Sequence, residues 1–261
     1  MIDVQNMEDQ RGIEIQRVGL KEVHFPFQIR MKNGGLQLVQ GNVTLSVNLP
    51  HQFKGTHMSR FMELLMFWSE KPISGKEIRQ LLSELSTNLQ AAAAEISLKF
   101  RYFLPVPAPI SQSIGYLDYI SEFHGSLRQP DDKFEYRLGV EIPVLSLCPC
   151  SKEISAFGAH NQRAMIRVSI GCFNGKYLWL EELIKLLRTQ GSCPVYPLLK
   201  REDEKWVTET AYQNPKFVED ILRDSVIALR SDPRIKCFQV EVESFESIHN
   251  HSAFASHTET N

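Results

Sequence analysis

Apolar and polar residues alternate strictly in several stretches of the chain. Val43, Leu45, Val47 and Leu49 interleave with Asn42, Thr44, Ser46 and Asn48. Leu98, Phe100, Tyr102 and Leu104 repeat the pattern, as do Phe134, Tyr136, Leu138, Val140, Ile142 and Val144. Ala164, Ile166, Val168 and Ile170 form a further set, and Phe238, Val240 and Val242 another. A period of two with a polar opposite face predicts antiparallel sheet covered on one side; parallel doubly wound sheets show continuous apolar strands instead.

Four segments carry the helical period. Met58, Phe61, Met62 and Leu65 follow the i, i+3, i+4, i+7 spacing. Ile78, Leu81, Leu82 and Leu85 do the same behind Ser74 and Glu77, whose separation is that of a capping box. Leu180, Leu183, Ile184 and Leu187 make a third stripe. The fourth opens at Asn214-Pro215, an N-cap followed by a first-turn proline, and continues through Phe217, Val218, Ile221, Leu222, Ser225 and Leu229.

The predicted order is strands near 13–30 and 36–49, helices near 57–68 and 75–91, then strands near 95–106 and 112–124. A second round has strands near 133–147 and 162–171, helices near 178–189 and 214–230, and a strand near 235–246. The halves repeat in pattern, without visible identity. The expected fold is α+β, with two tandem units at 1–126 and 127–261, each an antiparallel sheet with two helices packed on one face. Pro105-Val106-Pro107-Ala108-Pro109 reads as a rigid connection or sheet edge near the middle.

Charge narrows the classes of function. Lys and Arg total 29 against 31 Asp and Glu, a formal charge of −2, which argues against whole-protein attachment to nucleic acid or to an anionic membrane. A hydrophobic share of 43% suffices for a buried core. There is no long apolar run, and the polar start Met1-Ile2-Asp3-Val4-Gln5-Asn6 does not resemble a secretory signal. A cytoplasmic protein is expected, its five cysteines kept as thiols.

Candidate chemistry gathers in Ser146-Leu147-Cys148-Pro149-Cys150-Ser151-Lys152 and Gly158-Ala159-His160-Asn161-Gln162-Arg163, a loop between two long strands. Two thiols and an imidazole suit a soft divalent metal such as zinc, which accepts thiolate, imidazole and carboxylate together. Either thiol could face the ion, or both could be plain thiols. Cys172, Cys193 and Cys237 read as small hydrophobes, and Lys200-Arg201-Glu202-Asp203-Glu204-Lys205 as a solvated charge run. Glu246 extends the parity of Phe238, Val240 and Val242 to a strand end, with His249 three residues on. That pair suits acid/base work, with a polar tail as the alternative. On a helical wheel Glu219 falls at the border of the apolar arc while Asp220 and Asp224 point away. Its carboxylate could take two N–H donors of a purine. Thr56 can N-cap the first helix, where Lys54, His57 and Arg60 offer an anion site. No Walker or dinucleotide fingerprint is present.

Taken together these residues resemble the GTP cyclohydrolase I family of type IB. The matching stretches are Leu49-Pro50 with Phe53 to Phe61, Leu147 to Lys152, Gly158 to Arg163, Asp203-Glu204-Lys205 with Val207-Thr208-Glu209, Asn214-Pro215 with Phe217 to Asp220, and Glu246 to His251. The resemblance implies two tandem tunnelling-fold (T-fold) units, assembled as a homotetramer with active sites at subunit interfaces. It implies conversion of GTP and water to 7,8-dihydroneopterin triphosphate and formate, the first step of tetrahydrofolate biosynthesis. Cys148, His160 and Glu204 would hold the metal, zinc or manganese, with iron a further option; Cys150 remains an alternative to Cys148. Glu219 would anchor the guanine edge, and Cys150, Glu246 and His249 would serve proton transfer. Lys54, His57 and Arg60 are the candidates for the triphosphate. Two rivals stand beside it. One is a nitrile reductase of the same fold, using NADPH and a cysteine nucleophile without metal. The other is a non-enzymatic purine-binding module.

Overall fold

The computed structural model describes residues 5, 7–171, 173 and 177–260. Among these, ten strands and six helices follow in chain order. They are β1 (Ile15–Arg30), β2 (Leu36–Leu49), α1 (Met58–Ser69), β3 (Pro72–Ile73), α2 (Gly75–Leu89), β4 (Ala93–Pro107), β5 (Ile114–Arg128) and β6 (Lys133–Leu147). Then come α3 (Pro149–Ile154), β7 (Asn161–Gly171), α4 (Leu180–Leu187), β8 (Cys193–Pro194), α5 (Arg201–Gln213), α6 (Val218–Ser231), β9 (Cys237–Ser244) and β10 (Ala253–Glu259). No helix of the described residues is long and apolar enough to cross a membrane.

The chain divides into two compact units. The first comprises Met1–Arg101 and Glu122–Leu138. Its strand order is β3-β1-β2-β4-β5-β6, with β1–β2 and β2–β4 antiparallel and a short parallel pairing of β3 with β1. The alternation in β2 buries Val43, Leu45, Val47 and Leu49 against one face. Helices α1 and α2 cover that face with Phe61, Leu64, Leu65 and Trp68, and with Ile78, Leu81, Leu82 and Leu85. Each such aliphatic or aromatic side chain removed from water contributes about 1.5–3 kcal/mol. The expected capping box is present: the Ser74 amide donates to Glu77 Oε2 at 2.8 Å.

The second unit comprises Tyr102–Ser121 and Gly139–Asn261. Its order is β4-β5-β6-β7-β9-β10, with β8 on β6. Val140, Ile142 and Val144 of β6, Ala164, Ile166, Val168 and Ile170 of β7, and Phe238, Val240 and Val242 of β9 are all buried. The apolar stripe of α4 and Val218, Ile221, Val226 and Leu229 of α6 are buried as well, α6 lying on β9 and β10. The fold is mixed α+β on antiparallel sheet, as the alternation predicts.

Several expectations are corrected. The charge run at 200–205 is the first turn of α5, a helix the periodicity does not reveal. The fourth predicted helix begins at Val218 instead of 214. Asn214 caps the end of α5, and its Nδ2 donates to the carbonyls of Gly191 and Ser192 at 3.2 and 3.1 Å. His57 takes the N-cap position of α1 in place of Thr56. Cys237 is disulfide-bonded, so it is not the thiol expected there, whereas Cys148, Cys150 and Cys193 are free. Cys172 lies outside the described residues.

Candidate functional site

The site grows from the ends of β6, β7 and β9 in the second unit. β6 ends at Leu147, 3% exposed, and its terminus is gripped from two sides. The Leu147 amide donates to Ser192 Oγ at 3.0 Å, and its carbonyl accepts from the Lys216 amide at 3.0 Å. Ser146 Oγ donates to the Lys216 carbonyl at 3.0 Å. Gly191 allows this approach, because a Cβ there would lie 2.6 Å from Val144 Cβ and 2.7 Å from the Leu145 carbonyl oxygen. Leu147 forms a buried cluster with Cys193 and Ala211, against which Ala159, Tyr196, Trp206 and Val207 pack. The strand end, the residue before His160 and the middle of α5 therefore share one apolar anchor.

Cys148 follows as the N-cap of α3, with Pro149 supplying a preset φ at the first helical position. Its half-buried Sγ accepts from the Ser151 amide at 3.3 Å. The Cys148 amide donates to the His160 carbonyl at 3.1 Å, and the His160 amide to Ser151 Oγ at 3.2 Å. Gly158, at φ +70°, supplies the left-handed turn that brings the loop back. The backbone thus sets residues 148 and 160 side by side at the ends of two neighbouring strands. Cys150, the second residue of α3, is exposed.

From His160 a chain of side-chain contacts runs across the strand ends. His160 Nδ1 meets Gln162 Oε1 at 2.9 Å. Gln162 Nε2 donates to Ser244 Oγ at 3.2 Å and to Glu246 Oε1 at 3.3 Å, and Ser247 Oγ donates to Gln162 Oε1 at 3.4 Å. The Phe245 amide donates to the Arg163 carbonyl at 2.9 Å, continuing the pairing of β7 and β9 by one bond so that Glu246 arrives here. Gln162 is 9% exposed, and the sequence reading gave it no role. A signal existed, since stepping back by twos from Ala164 and Ile166 places Gln162 on the buried face.

The remaining candidates stand apart from this chain of bonds. Glu204 is exposed on the first turn of α5, while its neighbour Asp203 is fully buried. Asp203 accepts from the amides of Ile110, Ser111 and Lys200 at 2.8, 2.9 and 2.9 Å and from Ser111 Oγ at 2.6 Å. Burial opposes its ionisation, but these donors outweigh burial and hold the carboxyl well below the usual carboxylate range. Asp203 is thus the brace that fixes the start of α5 and the position of Glu204. Glu219 is exposed in the first turn of α6. His249 is exposed, its ring stacked on His251 at 5.0 Å and 17°. Among the described residues no group of three or more His, Cys, Asp or Glu is arranged to hold a metal. Cys148 and His160 are joined through their backbones, and the three expected ligands Cys148, His160 and Glu204 do not form one cluster.

Lys54, His57 and Arg60 lie in the first unit, around the start of α1. Lys54 and Arg60 are exposed and His57 is half-buried. Arg60 Nη1 donates to the Asn88 carbonyl at 2.7 Å, leaving its other donors for a ligand.

Solved structures similar to this chain share its fold. The uricase from Arthrobacter globiformis matches with a TM-score of 0.57 at 8% identity, over 94% of this chain and 93% of that one. The urate oxidase from Bacillus subtilis matches at 0.56 and 9%, over 94% and 98%. These likenesses establish the tunnelling fold and nothing further. Relatives named GTP cyclohydrolase FolE2 are much nearer in sequence. That of Magnetococcus marinus is 47% identical over 253 residues, 97% of this chain and 94% of the relative. That of Azoarcus sp. is 47% identical over 253 residues, 97% and 93%. The family model described as type I GTP cyclohydrolase folE2 matches residues 1–255. With that match covering nearly every residue, the chain belongs to the type I GTP cyclohydrolase folE2 family.

Proposed function

We propose that this chain is a metal-dependent GTP cyclohydrolase that converts GTP and water to 7,8-dihydroneopterin triphosphate and formate, opening the route to tetrahydrofolate. Family membership supports the activity. The observation that supports the site is the line of hydrogen bonds from Cys148 and His160 through Gln162 to Glu246, which links the residues proposed to hold the metal to the carboxylate proposed for proton transfer.

The residues present fit a divalent ion. Cys148 offers a half-buried sulfur, and His160 has one ring nitrogen engaged by Gln162 and the other available. Glu204, on the braced start of α5, would add a carboxylate. Zinc or manganese is the proposed ion, with iron a further option, and when bound it supplies a water made nucleophilic near neutral pH. The chain's own groups do the rest. Carbon 8 of guanine is attacked, the imidazole ring opens, a second hydrolysis releases formate, and the ribose rearranges before the pterin closes. Gln162 engages Oε1 of Glu246, which leaves Oε2 to exchange protons with ring nitrogens or the sugar. His249 and the Cys150 thiol, both exposed, would serve the same transfers. Glu219 would accept the guanine N–H donors in pairs, and Lys54, His57 and Arg60 would take the triphosphate.

The same reading includes the type IB subgroup, a homotetramer with interface active sites, a cytoplasmic setting, and a repeat divided as 1–126 and 127–261. Incubating the purified protein with GTP and zinc or manganese, and measuring formate and the fluorescent oxidised pterin, tests it. Both products should appear in equal amounts. No turnover with either ion would reject the cyclohydrolase reading.

A further inference from the structure

The least expected feature of the second unit is a buried amide placed between two functional groups. Gln162 has no apolar task at its position: it occupies a core-facing register of β7 yet directs both ends of its side chain to polar partners. Its NH2 end lies 3.3 Å from Glu246 Oε1 and 3.2 Å from Ser244 Oγ. A carboxylate only accepts, so the donor end of the amide must face Glu246. The carbonyl end then faces His160, and a carbonyl oxygen also only accepts. His160 must therefore carry its hydrogen on Nδ1, 2.9 Å away, and in the neutral ring Nε2 keeps the lone pair. Ser247 Oγ, 3.4 Å from the same carbonyl oxygen, reinforces that orientation as a second donor.

We propose that Gln162 is the positioning residue that fixes the tautomer and ring orientation of His160, presenting Nε2 to the ion while it holds the Glu246 carboxylate. The inference rests on the reading of His160 as a metal ligand. One amide then serves two roles. Through Oε1 it sets metal affinity; through Nε2 it sets where the acid/base carboxylate stands. Neither role requires Gln162 to touch substrate. Outer partners of this type typically change metal affinity about 10–100-fold when removed.

The two ends of the amide can be separated by substitution. Gln162→Met keeps the volume and removes both ends. Gln162→Glu keeps an acceptor for His160 Nδ1–H and loses the donor to Glu246. The probe is metal alone: zinc affinity by competition with a chromogenic chelator, and the visible spectrum of the cobalt(II)-loaded protein, whose thiolate charge-transfer and tetrahedral bands report Cys148 and geometry. Gln162→Met should lose about 10–100-fold in zinc affinity and broaden or shift the cobalt bands. Gln162→Glu should keep zinc affinity within a few-fold of the unaltered protein while kcat falls sharply with little change in KM. Zinc affinity and cobalt spectrum of Gln162→Met equal to those of the unaltered protein would overturn the proposal and leave the cyclohydrolase reading intact. Should Gln162→Met fail to fold, Gln162→Glu decides alone: a loss of zinc affinity as large as that of His160→Ala overturns it. An unaltered protein that takes up neither zinc nor cobalt overturns the metal reading, and this inference with it.

Discussion

Replacing Leu147 by alanine removes three carbon atoms from the buried cluster it forms with Cys193 and Ala211. At about 0.8 kcal/mol per buried carbon the transfer loss is about 2.4 kcal/mol. A cavity contribution adds to this wherever the surroundings cannot close over the gap. Here they are held open. The Leu147 backbone is tied to Ser192 Oγ on one side and to the Lys216 amide on the other, both at 3.0 Å, so the strand end cannot sink into the void. Leu147→Ala should therefore cost about 3–4 kcal/mol, in the middle of the usual range for such truncations and above the transfer loss alone. Urea unfolding followed by tryptophan fluorescence is a suitable assay, because Trp206 packs against this cluster; protein concentration must be matched between samples. Zinc affinity should fall with stability, since Ala159 and the residue preceding Cys148 share the anchor. A loss below about 1 kcal/mol would show that the strand end collapses freely, and the claim that packing sets the thiol's position would fail.

Three other changes probe separate links. Cys148→Ala should abolish pterin formation with an unchanged circular dichroism spectrum, and retained turnover would remove this sulfur from the metal set. Glu219→Ala should raise the KM for GTP about ten- to a hundredfold with a smaller change in kcat, by loss of a charged hydrogen-bond acceptor; an unchanged KM would remove its anchoring role. Asp203→Asn should lower the thermal midpoint near neutral pH. The Asp203 carboxyl is held below its ordinary value in the folded chain, so its contribution is complete above the unfolded value of about 3.9 and is lost as pH falls through the folded one. The midpoint gap between Asp203→Asn and the unaltered protein should accordingly narrow on acidification, and a gap constant with pH would refute the assignment.

The sequence exposes what depends on period and hides what depends on partners. β2, β6, β7 and β9 declare themselves because one face must be apolar, and their observed limits lie within a few residues of the expected ones. β10 is overlooked because Ala253–Glu259 carries Ser, His, Thr and Glu, and its Phe254 is 69% exposed; an edge strand has no apolar face to advertise. α5 is overlooked for a related reason. It buries only Asp203 and Ala211, so its charged surface looks like a loop. Pro215 misleads in the opposite sense. Asn214-Pro215 has the form of a helix start, yet Asn214 spends its side-chain donors on Gly191 and Ser192. At the site, extending the parity of β9 locates Glu246 correctly at a strand end. The same step applied to β7 would have located Gln162. The helical wheel ranks Glu219 by its angle to the apolar arc, but angle alone does not bury a residue, and Glu219 is exposed.

The division between bonded and exposed candidates has a physical meaning. Cys148, His160, Gln162 and Glu246 are ordered by the chain itself, before any ligand arrives. Glu204, Glu219 and His249 stand in solvent, and so do Ile154 at the end of α3 and Phe157 just after it, 85% and 94% exposed. Two unit charges 4 Å apart interact with about 1 kcal/mol in water and about 4 kcal/mol at an effective dielectric of about 20. A carboxylate meant to hold an ion or to select a purine therefore gains most of its strength only once water is excluded. Exposed functional groups and exposed apolar side chains have one remedy in common, a second surface that covers them. That is the arrangement an interface active site requires. In the assembly proposed above, a second copy would exclude water around the exposed carboxylates and so strengthen their hold on an ion or a purine.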